Sequence, residues 1–140
     1  MRLAFLGSPS AAVPTLRALV RAGHDVALVV SGPDKRRGRG GARTPTPGKA
    51  AELEVGRVVT DDLDAVAAAG VELGVVVAYG RIIPEALLMQ VPMVNLHFSL
   101  LPRWRGAAPI ERAILAGDER TGVCVMAVEE GLDTGGIYAQ

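Results

Sequence analysis

The segment Asn95-Leu96-His97-Phe98-Ser99 places an amide, an imidazole and a hydroxyl at every second position of an otherwise apolar run. In an extended chain alternate side chains point to opposite faces, so Asn95, His97 and Ser99 share one face while Val94, Leu96, Phe98 and Leu100 share the other. An amphipathic edge strand shows the same alternation with no chemistry attached. The residue types also suit a reaction. Histidine exchanges a proton near neutral pH, and an asparagine amide two residues away can donate to a carbonyl oxygen that gains charge under attack. Such a site needs a carboxylate to hold the imidazole. Among the acids in turn-forming sequence the strongest candidate is Asp133 of "EEGLDTGG", 36 residues after His97 and flanked by glycines that allow a tight loop. An aspartate in a glycine-rich turn also makes an Asx-turn with no catalytic part. Together, Asn95, His97 and Asp133 point to acyl transfer without a covalent enzyme intermediate.

The rest of the sequence supplies the frame that positions these groups. "RLAFLG" is a short apolar run ending at Gly7. Ser8 can then cap a helix with Pro9 in its first turn, in which Val13, Leu16, Leu19 and Val20 recur at helical spacing before Gly23. "DVALVVS" is apolar on both faces, as a parallel strand covered by helices on each side requires. This βαβ order predicts an α/β fold with a Rossmann-like, doubly wound, mostly parallel sheet. "GRVV" reads as a weak third strand, "LGVVVAYG" as a buried central one and "TGVCVMAV" as another. "TDDLDAVAAAG", capped by Thr60 and ended by Gly70, reads as a helix, as do "PEALLMQ" and "APIERAILAG", the last opened near Pro109 and closed by Gly117. Roughly six strands alternate with four or five helices, and one domain covers residues 1–140. Open α/β sheets bind ligands beyond the carboxyl ends of their strands, which is where "VNLHFS" gives way to "LLPRWRG". Gly32 to Gly48 holds five glycines, three prolines and five Lys/Arg, a composition that excludes a sheet or a packed helix and predicts a long basic loop.

Composition narrows the function classes. A chain of 140 residues buries roughly two thirds of its unfolded surface. With 49% hydrophobic and 4% aromatic residues it is an Ala/Val/Leu-rich α/β chain rather than a disordered one. Its 15 basic and 15 acidic residues cancel, so a nucleic acid or membrane must be met by a local patch. No run of about 18 apolar residues spans a bilayer, and the N-terminal apolar run is too short for a secretion signal. The single cysteine, Cys124, excludes an internal disulfide and reads as a small core residue, which fits a cytoplasmic setting. His24 and His97 lack ligand spacing, so no metal site is expected. "GSPSAA" lacks the later glycines of a dinucleotide fingerprint, and "GRGG" falls inside the loop.

With "AYGRIIP" and "GLDTGG", the stretch "VNLHFSLLPRWRGAAPIERAILAGD" resembles the folate-dependent formyltransferases, and "RWRGAAPI" the methionyl-tRNA formyltransferases among them; the similarity runs from "RLAFLGSP" to the last residue. The resemblance implies transfer of a formyl group from 10-formyltetrahydrofolate to the amino group of methionine on initiator tRNA. It implies that Asn95 polarises the formyl carbonyl, that His97 assists proton transfer and holds the tetrahedral intermediate, and that Asp133 orients His97 and helps take the proton from the amine. Ser99, Leu100, Leu101 and Pro102 match the family's folate-contacting loop, and the backbone around Tyr79, Gly80, Ile82 and Ile83, with Leu132, matches its pterin pocket. The basic loop 34–49, with Arg36, Arg37, Arg39 and Arg43, resembles the family's insertion into the acceptor end of the tRNA. Trp104 either packs that part of the chain half-buried or stacks on a base.

A related formyltransferase or hydrolase acting on a sugar nucleotide or glycinamide ribonucleotide is the rival reading, opposed by "RWRGAAPI" and the basic loop. A non-catalytic folate- or RNA-binding remnant is the third, opposed by Asn95, His97 and Asp133. Against the family pattern, Ala50 to Leu73 is short and Gly136 stands where an acid is common. The family's catalytic domain continues past Gln140 and a tRNA-gripping barrel follows it. A shortened sheet with an unpaired edge, which a second copy can cover by strand addition to give a dimer, is therefore expected.

Overall fold

The computed structural model describes residues 1–32, 35–36, 43–44 and 58–140, with backbone alone for 35–36, 43–44 and 58–59. In chain order its elements are β1 (Arg2–Gly7), α1 (Val13–Arg21), β2 (Asp25–Val30), β3 (Lys35–Arg36), β4 (Arg43–Thr44), β5 (Val58–Thr60), α2 (Asp64–Ala68), β6 (Leu73–Val77), α3 (Glu85–Leu88), β7 (Met93–His97), α4 (Pro109–Leu115), β8 (Cys124–Ala127) and β9 (Ile137–Ala139). Seven strands make one sheet in the order β5-β2-β1-β6-β7-β8-β9. From β5 to β7 every pairing is parallel; β8 pairs antiparallel with β7, and β9 antiparallel with β8.

β1 is central because its residues are apolar on both faces. Leu3 and Phe5 pack on one face with Leu16 of α1 and with Val26, Val29, Val75 and Val77. Ala4 and Leu6 pack on the other with Leu28, Val30, Val76 and Met93, closed over by Val66 of α2 and Leu87 of α3. Helices cover both faces, which is the doubly wound arrangement the unbroken apolar runs require. At Gly7 an added Cβ would lie 2.9 Å from Ala12 Cβ, Phe5 Cε1 and Val77 O, so the chain turns back onto the sheet there only over a residue with no side chain. The α1 crossover leads from β1 to β2 on one side, while β6 and β7 lie on the other. The switch point of the sheet thus falls between β1 and β6, next to the carboxyl end of β7 on the far side of β6.

Four local expectations are corrected. Ser8 caps no helix: its Oγ accepts from the Gly32 N–H at 2.8 Å, tying the exits of β1 and β2 together, and the chain enters α1 through a 3₁₀ turn at Ser10–Ala12. Thr60 caps none either. Its Oγ1 accepts from the Asp62 N–H at 3.0 Å, and Asp62 Oδ1 from the Asp64 N–H at 2.9 Å, so two short side-chain turns lead from β5 into α2. A hydroxyl bonds whichever N–H the tertiary path presents, which local sequence does not reveal. The basic stretch, expected outside any sheet, holds the antiparallel ladder of β3 and β4, Lys35 opposite Thr44 and Arg36 opposite Arg43, at positions free of glycine and proline. Finally, with β9 after the Asp133 loop the main sheet has seven strands, one more than the roughly six counted from the apolar runs, because β9 is short and exposed. Among the described residues no helix is long and apolar enough to cross a membrane.

Candidate active site

β7 carries the site because its two faces differ. Val94, Leu96 and Phe98 pack toward the α1 side of the sheet, which turns Asn95 and His97 to the opposite side at the strand's carboxyl end. The strand ends at His97, and the alternation ends with it. Ser99, fully buried in the turn that follows, donates its Oγ hydrogen to the Arg103 carbonyl at 2.6 Å. It serves that turn rather than sharing the face of Asn95 and His97, a correction to the alternation expected from sequence.

Asp133 reaches the pair from the β8–β9 connection, in a left-handed conformation with φ of 50°. Its Oδ1 accepts from Asn95 Nδ2 at 3.3 Å, and its Oδ2 accepts from the Gly106 N–H at 2.8 Å and lies 3.5 Å from His97 Nδ1. All three partners are distant in sequence, so the carboxylate links elements instead of closing a local Asx-turn. His97 is 5% exposed, and its Nε2 lies 2.8 Å from the Trp104 carbonyl. A carbonyl oxygen only accepts, so Nε2 carries a hydrogen and Nδ1 is the nitrogen at which a proton can come and go. Its distance from Asp133 exceeds that of a hydrogen bond, leaving room for either partner to engage a substrate.

These groups floor a cleft of about 620 Å³, the size of a small-molecule site. Tyr79, Gly80, Ile82 and Ile83 from the β6–α3 connection form one wall, and Met126, Val128 and Leu132 another. Ile82 is 89% exposed and Leu132 69%, so two large apolar side chains stand in water beside the polar floor. Burial pushes the Tyr79 phenol above its ordinary value, against the lowering influence of Arg81, whose guanidinium donates to the Tyr79 hydroxyl at 3.2 Å. Ser99, Leu100, Leu101 and Pro102 are not among the lining residues: Leu101 packs beneath the site with Cys124 and Met126, while Leu100 and Pro102 face solvent. Arg36 and Arg43 lie in β3 and β4, where the backbone alone is described, and Arg37 and Arg39 lie outside the described residues.

The sequence pattern of the formyl transferase family matches residues 1–140. The chain belongs to the formyl transferase family. It is 50% identical over 144 residues to the methionyl-tRNA formyltransferase of Heliobacterium modesticaldum, covering 96% of this chain and 46% of the relative. With the methionyl-tRNA formyltransferase of Synechococcus sp. it shares 51% identity over 151 residues, covering all of this chain and 45% of the relative. The chain spans about half the length of these curated relatives. Among solved structures it is similar to phosphoribosylglycinamide formyltransferase from Bacillus halodurans, with a TM-score of 0.79 and 26% identity over 100% of this chain and 78% of that one. Glycinamide ribonucleotide transformylase 1 from Geobacillus kaustophilus gives a TM-score of 0.78 at 26% identity, over 99% of this chain and 80% of that one.

Sequence reasoning missed several groups around the site. The Trp104 carbonyl and the Gly106 N–H, which hold His97 and Asp133, are backbone groups that no residue type announces. The glycine inside "RWRGAA" was the available hint, since it marks a bend, and Gly106 indeed has a left-handed φ of 84°. Glu129 and Glu130, which also line the cleft, follow Val128 just past β8 but carry no spacing signal. Trp104 is half-buried with its Nε1–H bonded to Asp118 at 2.6 Å, so its indole packs the loop.

Proposed function

We propose that the protein transfers the formyl group of 10-formyltetrahydrofolate to the amino group of methionine on initiator tRNA, in the cytoplasm. The observation that carries this reading is the joining of Asn95, Asp133 and His97 on the floor of one apolar cleft. The folate donor is a substrate. Apolar walls with Ile82 and Leu132 at the surface suit its flat ring, and the polar floor suits a carbonyl meeting an amine.

In the reaction the amine nitrogen attacks the formyl carbon, the bond from that carbon to the folate nitrogen breaks, and one proton passes from the amine to the leaving nitrogen. Asn95 has a second Nδ2 hydrogen beyond the one given to Asp133, and it donates to the oxygen that becomes negative in the tetrahedral intermediate. Asp133, anchored by the Gly106 N–H, receives the amine proton, and His97 moves a proton at Nδ1 while its Nε2 stays bonded to Trp104. Acid–base help of this kind is worth about 10²–10⁴-fold, with positioning supplying more.

Identity near 50% to methionyl-tRNA formyltransferases, against 26% to the glycinamide ribonucleotide enzymes, favours the tRNA acceptor. In this reading the basic loop 34–49, through Arg36, Arg37, Arg39 and Arg43, meets the acceptor end of the tRNA. A second copy adds along β9, where Ile137 and Tyr138 are exposed; a mass that doubles with concentration on gel filtration is its test. The acceptor is tested by supplying labelled formyl donor with methionyl initiator tRNA or with glycinamide ribonucleotide. Label is expected on the tRNA, and label on glycinamide ribonucleotide alone would overturn the assignment.

A further inference from the structure

His97 and Asp133 are both held by one short stretch of backbone. The Trp104 carbonyl receives the His97 Nε2 hydrogen and, two residues on, the Gly106 N–H binds Asp133 Oδ2. That stretch has no regular structure: Trp104, Gly106 and Ala108 have φ of 60°, 84° and 55°, three left-handed residues in five. Neither a helix nor a strand ladder fixes it, so side chains must.

The anchor is Asp118, which follows the end of α4. Its carboxylate takes two hydrogen bonds from Arg103, at 2.7 Å from Nε and 2.6 Å from Nη2, and one from Trp104 Nε1 at 2.6 Å. The Arg103 guanidinium in turn lies over the Trp104 ring, 4.3 Å from its centre. Asp118 itself is fixed to the helix by its own N–H, bonded to the Ala113 carbonyl at 3.0 Å. A bidentate arginine fork on a carboxylate sets orientation as well as distance. Arg103 and Trp104, adjacent in sequence, are thereby clamped by a residue that does not line the cleft.

We propose that Asp118, outside the cleft, is a positioning residue for formyl transfer: by clamping Arg103 and Trp104 it sets the carbonyl that orients His97 and the N–H that orients Asp133. The inference rests on the formyl-transfer reading for its kinetic test and on geometry alone for a second one. Asp118→Asn keeps the size of the side chain and breaks the fork; Trp104→Phe keeps a ring beneath Arg103 and removes one N–H.

In both variants of the 140-residue chain kcat is expected to fall between about tenfold and 100-fold, with KM for the folate donor within about twofold of wild type. The double variant is expected to be no slower than the slower single one, because both act through the same link. Equal kcat in wild type and Asp118→Asn would overturn the proposal. So would an additive loss accompanied by a matching rise in KM. The independent readout is the long-range ¹H–¹⁵N spectrum of the two histidines, His24 and His97. The ring signals of His97 should move in each variant while those of His24 stay in place, and unmoved His97 signals overturn the positioning role. A wild-type chain that transfers no formyl group counts against the proposed function, and the histidine spectrum then decides the positioning role by itself.

Discussion

Replacing Asp133 by Asn removes a charge and one acceptor while leaving volume unchanged, and the structure says what each loss does. The carboxylate accepts from Asn95 at 3.3 Å through Oδ1 and from the Gly106 N–H at 2.8 Å through Oδ2. An amide has one acceptor oxygen. If it stays on Gly106, an NH₂ group meets the Asn95 NH₂; if it turns to Asn95, an NH₂ meets the Gly106 N–H. Either way one donor loses its partner, a cost of about 1–3 kcal/mol, or a fall in melting temperature of no more than about 12 °C at about 2–4 °C per kcal/mol for a chain of this size. The chemical loss is larger. In the proposed reaction this carboxylate receives the amine proton, and removing a contribution of about 10²–10⁴-fold corresponds to about 2.7–5.4 kcal/mol on the barrier. Initial rates of formyl transfer at 25 °C, with melting followed by circular dichroism, separate the two effects. The rate should fall at least about 100-fold in a variant that is still folded at the assay temperature. A folded Asp133→Asn protein within about threefold of wild type would refute the role of the carboxylate.

Other outcomes follow from the same geometry. Hydrogen bonds from Arg103 and Trp104 lower the Asp118 carboxyl to about 2 from an ordinary value of 3.8. Because the folded state favours the ionised form, its contribution to stability is complete above about pH 4 and is lost as pH falls toward 2. The gap in melting temperature between wild type and Asp118→Asn should therefore narrow between pH 5 and 2, and a constant gap contradicts the clamp. At Gly135 an added Cβ would lie 2.2 Å from the Ala127 carbonyl oxygen, so Gly135→Ala must push β8 and the loop after Asp133 apart. Loss of several degrees of melting temperature is expected, together with weakened folate binding; unchanged values for both rule out the close approach. If three cations of loop 34–49 meet phosphates, tRNA affinity should drop about 40-fold from 50 to 200 mM salt, and a flat salt profile would remove the loop from the interface.

The sheet was legible because buried parallel strands must be apolar on both faces, and "RLAFLG", "DVALVV" and "LGVVV" have that character without ambiguity. The helix opened at Pro109 was legible as well, but two other helix starts were not. Ser8 and Thr60 have the right chemistry for caps, but Gly32 and Asp62, brought near by the fold or by a local turn, offer their hydroxyls other donors. Asn95, His97 and Asp133 could be picked out because each is a polar side chain at an unusual place, a strand end or a glycine-flanked turn. The alternation that paired Ser99 with them assumed two more residues of strand than the chain forms. What holds the three in place was hidden for a simpler reason: the Trp104 carbonyl and Gly106 N–H belong to the backbone, and Asp118 acts through residues fourteen and fifteen positions away.

Single-turnover transfer from labelled 10-formyltetrahydrofolate to methionyl initiator tRNA, with wild type, Asn95→Ala and His97→Ala side by side, tests the central claim most directly. Label should reach the methionine amine with wild type and slow by at least about 100-fold in each variant while folate binding persists. Transfer at the wild-type rate in either variant would contradict the assignment of the chemistry to this cluster.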